Sequence, residues 1–406
     1  MAHLSNLGPT ARSPPSDALT AGRQRLLKGP TNRRRLVRPS LLIDWPSVLT
    51  AHSLESLDTA LEGCFGSSPS ALAPQASVLI THRAATLYER GFGGASVDTI
   101  YDLASVTKAV VTAPLLMGLI EAGTVQLDLP VAVWLPEWSN TSFAGVTMRM
   151  LLAHRSGLWE WRPVYMHSSA MDRSIAFVTS TQPRYPPGAG HHYSDLGLML
   201  AGEVVQRAGH SSLAELARDR LFKPLGLETI GFNPPVSLRK QIAPSSRGDS
   251  YEERMIATGE PYPIPELGQP YEGWRHHTLV GEANDGNAYH AFGGEAGHAG
   301  LFGSARELAR LGEAIAGEQL TSAATLQSFL DEPFDPGQGL VFRTGTLLGR
   351  RTFWHAGFTG TRWLCCPDLE LVVVLLTNRL MRPGEPLPLD DVWATVLAAV
   401  EEALRL

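Results

Sequence analysis

The chain lacks the features that would place it in several large classes of protein. Its 406 residues include three cysteines, Cys64, Cys365 and Cys366. An odd number with two adjacent makes no disulfide framework, so packed, reduced thiols are expected. No stretch reaches the ~18 apolar residues that a membrane span requires, so none is expected. Neither a His-Glu-x-x-His nor a Cys-x-x-Cys grouping occurs, and the adjacent pairs His191-His192 and His276-His277 point apart on a strand. Neither a metal nor a cofactor is therefore expected. Positive charge is not in excess: the formal charge is -6, which argues against nucleic acid as a partner.

That total conceals an asymmetry. Residues 1–40 carry eight basic side chains against Asp17 alone, a net +7 that leaves -13 for the remainder. With Pro14-Pro15, scattered Ser and Gly and no sustained periodicity, this segment reads as a disordered basic arm. It lacks the roughly 7–15-residue apolar core of a secretory signal, so a cytoplasmic location is expected; its Arg content leaves a transit peptide as the alternative.

Residues 41–406 read as the folded body. Leu54, Leu57, Leu61 and Cys64 recur at helical spacing. Ala76–Thr81 and Thr86–Arg90 predict two strands around a turn. Arg351–Phe358, Thr361–Cys366 and the apolar run Leu369–Thr377 predict three more, antiparallel because their links are brief. Leu196–Gln206 and Ser212–Leu221 read as helices, and Val392, Val396, Leu397, Val400 and Leu404 line one side of a closing helix. Strands at both ends with helices between predict an α+β fold. Its antiparallel sheet of about five strands would be flanked by N- and C-terminal helices, with a mainly helical lobe inserted at about 109–340. Residues 244–297, rich in Gly, Pro, Glu and aromatics, read as a lid or pocket wall.

The chemistry concentrates in Asp102-Leu103-Ala104-Ser105-Val106-Thr107-Lys108, which opens an apolar helix. Residues three apart share a helix face, so Lys108 is positioned to help remove the proton of Ser105. A serine at a helix N-terminus also faces converging N–H groups that suit a developing oxyanion. A second Ser-x-x-Lys, Ser237 to Lys240, follows Pro234-Pro235 with no long apolar helix behind it and reads as solvated loop. Pro114, inside the Ser105 helix, predicts a kink or break. Tyr193-Ser194-Asp195 puts a phenol and a carboxylate on one side if extended, just ahead of an apolar helix. Trp354-His355-Ala356-Gly357-Phe358 presents small residues on a strand, where a ligand approaches the backbone closely and an N–H completes an oxyanion pocket with that of Ser105.

Together, Ser105-x-x-Lys108, Tyr193-Ser194-Asp195 and His355-Ala356-Gly357 resemble, in order, the motifs of the penicillin-recognising serine enzymes. The nearest resemblance is to class C β-lactamase-like serine hydrolases, esterases and D-peptidases included. The flanks Leu151-Leu152-Ala153-His154-Arg155-Ser156-Gly157-Leu158, Gly297-His298-Ala299-Gly300-Leu301-Phe302 and Thr377-Asn378-Arg379 share it. The resemblance implies a β-lactamase/transpeptidase-like fold, Ser105 as acylated nucleophile, Lys108 as its helper and Tyr193 as acid/base partner. It implies substrate contacts from Asp195, His355, Gly357 and Phe358, whose N–H is the second oxyanion donor.

Two departures stand out: Asp195 where β-lactamases usually carry Asn, and His355 where the family often has a lysine. A carboxylate cannot donate to a substrate carbonyl; it favours a charged Lys108 and opposes an ionised Tyr193. These changes predict an esterase-like hydrolase of small esters or amides rather than an efficient β-lactamase. A β-lactamase or D-amino-acid peptidase is the alternative, and a non-catalytic ligand-binding or scaffold member is the alternative of another class. The oligomeric state is left open.

Overall fold

The computed structural model describes residues 53–405; the arm expected over 1–40 lies outside them. All belong to the unit Pro46–Leu406. They form the strands β1 (Ala76–His82), β2 (Ala85–Phe92), β3 (Ile100–Asp102), β4 (Gly231–Phe232), β5 (Leu301–Ser304), β6 (Arg343–Leu347), β7 (Arg350–Gly357), β8 (Thr361–Cys366) and β9 (Leu371–Thr377). The helices include α1 (Leu54–Leu61), α2 (Ala113–Glu121), α3 (Asp195–Gly209), α4 (Ser250–Thr258), α5 (Ala305–Ala316) and α6 (Asp390–Arg405).

Six strands make one antiparallel sheet in the order β2-β1-β9-β8-β7-β6. β9 is buried at every position, as an unbroken apolar run requires when both faces of a strand are covered. α5 is tied across the sheet by the Trp363 indole N–H, which donates to the Leu308 carbonyl at 3.2 Å. α1 begins at Ser53, whose hydroxyl accepts the Ser56 N–H, and buries Leu57 and Leu61. It packs against α6, so elements from distant parts of the sequence close on one another.

The sheet has one strand more than expected. β6 reads Arg343-Thr344-Gly345-Thr346-Leu347, too polar to signal a strand; its pairing with β7 supplies what its side chains do not. A second sheet, β3-β5-β4, draws β4 and β5 from the stretch expected to be mainly helical, with β3 just ahead of it. Its strands are two to four residues long, below the length at which alternation is legible. Residues 244–297 are not all loop: they hold α4, anchored by the buried pair Asp249–Arg275 at 2.6 Å.

Pro114 does not break its helix. The turn before it, Lys108–Thr112, is a π-helix in which the Ala113 N–H reaches back five residues to the Lys108 carbonyl. The wider turn makes room for the proline ring, and α2 continues beyond.

Candidate active site

The segment carrying Ser105 is pinned from several sides. Ala104 takes a left-handed conformation at φ 45°, and its N–H donates to Asp102 Oδ1 at 2.8 Å. Asp102 Oδ2 accepts the Asn284 N–H at 2.6 Å. Burial pushes the Asp102 carboxyl up to about 6 even though these two N–H groups favour its ionised form. The hydroxyls of Thr359 and Thr361 donate to the carbonyls of Asp102 and Leu103 at 2.9 and 3.0 Å. The chain then enters a helix, leaving Ser105 partly exposed and Lys108 fully buried one turn on. The other Ser-x-x-Lys forms a 3-10 turn with Ser237 and Lys240 exposed.

Lys108 is the hub. Its Nζ lies 2.7 Å from Ser105 Oγ, 2.9 Å from the His298 carbonyl and 2.7 Å from Asp195 Oδ1. The first two are hydrogen bonds and the third is an ion pair, and Asp195 Oδ1 makes no hydrogen bond of its own. Burial, the largest single cause, works to lower the Lys108 pKa, but Asp195 and Tyr193 together outweigh it and hold the pKa above the ordinary lysine value. His298 is held in turn by Asp285, whose Oδ1 lies 2.9 Å from its Nε2.

Tyr193 and Asp195 arrive from the start of α3. Ser194 is the N-cap, accepting the Gly197 N–H at 3.1 Å, which frees Asp195 for Lys108. The Ser194 N–H donates to His154 Nδ1 at 3.0 Å, and the His154 ring lies 4.6 Å from that of Tyr193. Burial holds this imidazole neutral, far below its usual pKa. The Lys108 Nζ is 5.3 Å from the Tyr193 ring centre. Burial raises the phenol's pKa, and Asp195 adds to that; Lys108 opposes without cancelling it.

Gly297 and Gly202 explain how the His298 carbonyl reaches Lys108. A Cβ on Gly202 would lie 2.8 Å from the Gly297 Cα, so only glycines let this loop touch α3. The Gly297 carbonyl then accepts from Thr112 Oγ1 at 2.6 Å.

At the end of β7 the expected residues separate. Ala356 and Phe358 line the cavity beside Ser105; His355 and Gly357 are not among its lining residues. His355 is 3% exposed, its Nδ1 is 2.9 Å from the Ala356 carbonyl, and burial with nearby Lys108 lowers its pKa to about 3. It is a neutral, packed ring, where a substrate contact was expected. Gly357 has a different use from close ligand approach: a Cβ there would overlap Thr361 Oγ1 and lie 2.6 Å from the Leu103 carbonyl. The missing side chain lets β7 touch the serine segment. Gly357→Ala is expected to cost roughly 1–3 kcal/mol by overpacking, read as a lowered urea midpoint, with hydrolysis falling in parallel.

The Phe358 carbonyl accepts from Arg379 Nε at 2.7 Å. Among the described residues, neither the Phe358 nor the Ser105 N–H donates to a backbone carbonyl. Arg379→Ala is expected to lower kcat by about tenfold with little change in KM, short of the ~10²–10³ that losing an oxyanion donor outright costs. His154, Asp285 and Arg379 had no role assigned from the sequence, although His154 and Arg379 lie in motifs that signalled the resemblance.

The cavity beside Ser105 has a volume of about 240 Å³ and includes Tyr193, Asp195, Trp161, Tyr251, Tyr262, Glu252 and Asp285 in its wall. Much of that wall comes from 244–297, one of the two roles expected for that segment. No helix among the described residues is long and apolar enough to cross a membrane. The three cysteines are free and buried.

A buried lysine on a serine hydroxyl, a phenol alongside and a strand end with a spare N–H, on an antiparallel sheet with a helical lobe, define a serine-hydrolase fold of the penicillin-recognising class. The model of the β-lactamase family matches residues 69–397, and the chain belongs to that family. It is 29% identical over 321 residues to a "Putative D-alanyl-D-alanine carboxypeptidase" of Escherichia coli K12, covering 71% of each chain. Among solved structures it resembles the octameric penicillin-binding protein homologue from Pyrococcus abyssi (TM-score 0.63, 19% identity, 86% of this chain and 77% of that one). It also resembles a family VIII carboxylesterase (TM-score 0.62, 19% identity, 87% and 97%). The chain is thus a β-lactamase-related hydrolase.

Proposed function

We propose that the protein hydrolyses small esters or amides through an acyl-enzyme on Ser105. The observation that carries this reading is the buried Lys108 ammonium, hydrogen-bonded to Ser105 Oγ and the His298 carbonyl and ion-paired with Asp195. An ammonium so engaged has no lone pair to take the serine proton, so Lys108 stabilises charge, and the proton moves through Tyr193. As Ser105 Oγ bonds to the substrate carbonyl carbon, the phenol oxygen takes its proton. In the same step the phenol gives its own proton to the leaving oxygen or nitrogen, so Tyr193 never carries two, and the bond to that atom then breaks. The Ser105 and Phe358 N–H groups hold the oxyanion meanwhile. Water then reverses the sequence, and the acid departs with Ser105 and Tyr193 restored. Burial keeps the phenol neutral, so it accepts the serine proton only as it releases its own.

A fluorophosphonate is expected to form one adduct, located by mass spectrometry on Ser105. An adduct elsewhere would refute the assignment. Tyr193→Phe is expected to lower kcat by ~10²–10⁴ while labelling slows in step. The Escherichia coli relative favours a second reading, a D-peptidase. The cavity wall carries Asp195, Glu252 and Asp285 and no arginine, with Lys108 already engaged, which suits a substrate carboxylate poorly. A p-nitrophenyl ester is therefore expected to turn over faster than a dipeptide ending in a free carboxylate.

A further inference from the structure

The segment carrying Tyr193 is held by acceptors from residues 154–160. The His192 N–H donates to the His154 carbonyl at 2.9 Å, and the Asp195 N–H to the Glu160 carbonyl at 2.8 Å. The Ser194 N–H donates to His154 Nδ1 at 3.0 Å, and the Ser194 hydroxyl to the Trp159 carbonyl at 2.7 Å. Of these acceptors, His154 Nδ1 belongs to a side chain; the others are backbone carbonyls. His154 thus grips the N–H groups immediately before and after Tyr193. Its ring also lies against the phenol, with 4.6 Å between centres and a tilt of 35°.

Packing alone does not require a histidine here. His154 is 1% exposed, and its Nε2 is buried without a hydrogen-bond partner. A neutral ring whose Nδ1 accepts carries its hydrogen on Nε2, so this position buries an unpaired donor, at about 1–3 kcal/mol. A phenylalanine would fill the space without that cost, but it could not accept from Ser194. The surroundings keep Nδ1 an acceptor. Burial, the largest cause, opposes protonation of the ring, and His191, Lys108, His355 and Arg343 oppose it too. A protonated Nδ1 would be a donor facing a donor, and the N–H after Tyr193 would be pushed away. A proton-transferring group needs such restraint, because a displacement of about 1 Å costs roughly 10²-fold in rate.

We infer that His154 is the positioning residue of Tyr193: through its bonds on either side of the tyrosine and its ring contact, it holds the phenol oxygen between Ser105 Oγ and the leaving atom. The inference rests on the Ser105 hydrolase reading, with Tyr193 as the proton shuttle, and adds the group that fixes where the proton is delivered. The effect is largest where delivery matters most. p-Nitrophenolate departs without a proton, whereas an alkoxide departs only as it receives one.

The test measures kcat/KM, which reports acylation, for p-nitrophenyl acetate and ethyl acetate on each preparation and takes their ratio. Protein lost to misfolding lowers both rates alike and cancels. His154→Phe keeps a ring and removes the acceptor. Ethyl acetate hydrolysis is expected to fall ~10²-fold and p-nitrophenyl acetate hydrolysis ~10-fold, so the ratio shifts by about tenfold. Asparagine tolerates the left-handed conformation at 154, where φ is 57°, and sets an amide oxygen near the Nδ1 position. The His154→Asn ratio is therefore expected within about threefold of the parent's. With Tyr193→Phe already in place, adding His154→Phe is expected to move neither rate by more than about threefold. If His154→Phe does not fold, His154→Gln empties the same position and takes its place. An unshifted ratio in the variant lacking the acceptor, or full additivity with Tyr193→Phe, would overturn the inference. If Tyr193→Phe alone costs nothing, the shuttle reading fails and this inference with it. If it costs ~10²-fold or more while the ester ratio stays fixed, only the role of His154 fails.

Discussion

Ser105→Ala is expected to lose ester hydrolysis by on the order of 10⁴-fold or more, with the protein still folded. The two halves of that result have separate causes. In the proposed mechanism the hydroxyl is the atom to be acylated, so its removal takes away the reaction path. The fold is spared because Lys108 keeps the His298 carbonyl as acceptor and Asp195 as counter-charge, and Ser105 sits partly exposed at the cavity. Urea unfolding is expected to agree with the parent within about 0.5 kcal/mol. Appreciable hydrolysis in this variant would remove Ser105 from the mechanism.

Asp195→Ala should do the opposite and damage the fold. Lys108 is fully buried, and losing its counter-charge leaves an ammonium without compensation. Breaking a buried pair in this way costs about 3–5 kcal/mol. The pH dependence carries a sign that identifies the cause. In the parent, the Lys108 pKa is raised above 10.5, so its stabilisation is present across neutral pH and is lost only as pH rises through that higher value. In the variant, burial acts unopposed by Asp195 and depresses the pKa, so the folded state binds fewer protons than the unfolded one. Stability then rises with pH through the alkaline range. Urea midpoints at about pH 7 and about pH 9.5 should therefore increase for Asp195→Ala. A midpoint that falls would mean that Lys108 is not the group set free.

Much of this site is legible in the sequence because its parts sit at element boundaries. Ser105 and Lys108 share the face of an apolar helix, and β7, β8 and β9 announce themselves by β-branched and aromatic runs. Burial and partner choice are not legible in that way. His355 was expected to meet substrate; it is covered by neighbours that no local pattern specifies. Glu252 stands in Ser-Tyr-Glu-Glu-Arg-Met, a charged run that suggests a solvated surface, yet the segment folds as α4 with that carboxylate turned inward. The roles of Gly297 and Gly357 were likewise hidden, since each depends on which backbone lies opposite. Tertiary contact decides these cases, and a single sequence records it only at long range.

In the sheet, Ala76 faces Thr377, so β1 waits for almost the whole polypeptide before its second neighbour exists. Thr359, Thr361 and Arg379, which brace the serine turn and the Phe358 carbonyl, likewise emerge long after Ser105 during synthesis. A growing chain therefore carries the Ser105 hydroxyl, the proposed nucleophile, before its braces exist. On that mechanism the site is complete only when the last strand zips in, a late and non-local step that also makes slow folding the expected kinetics.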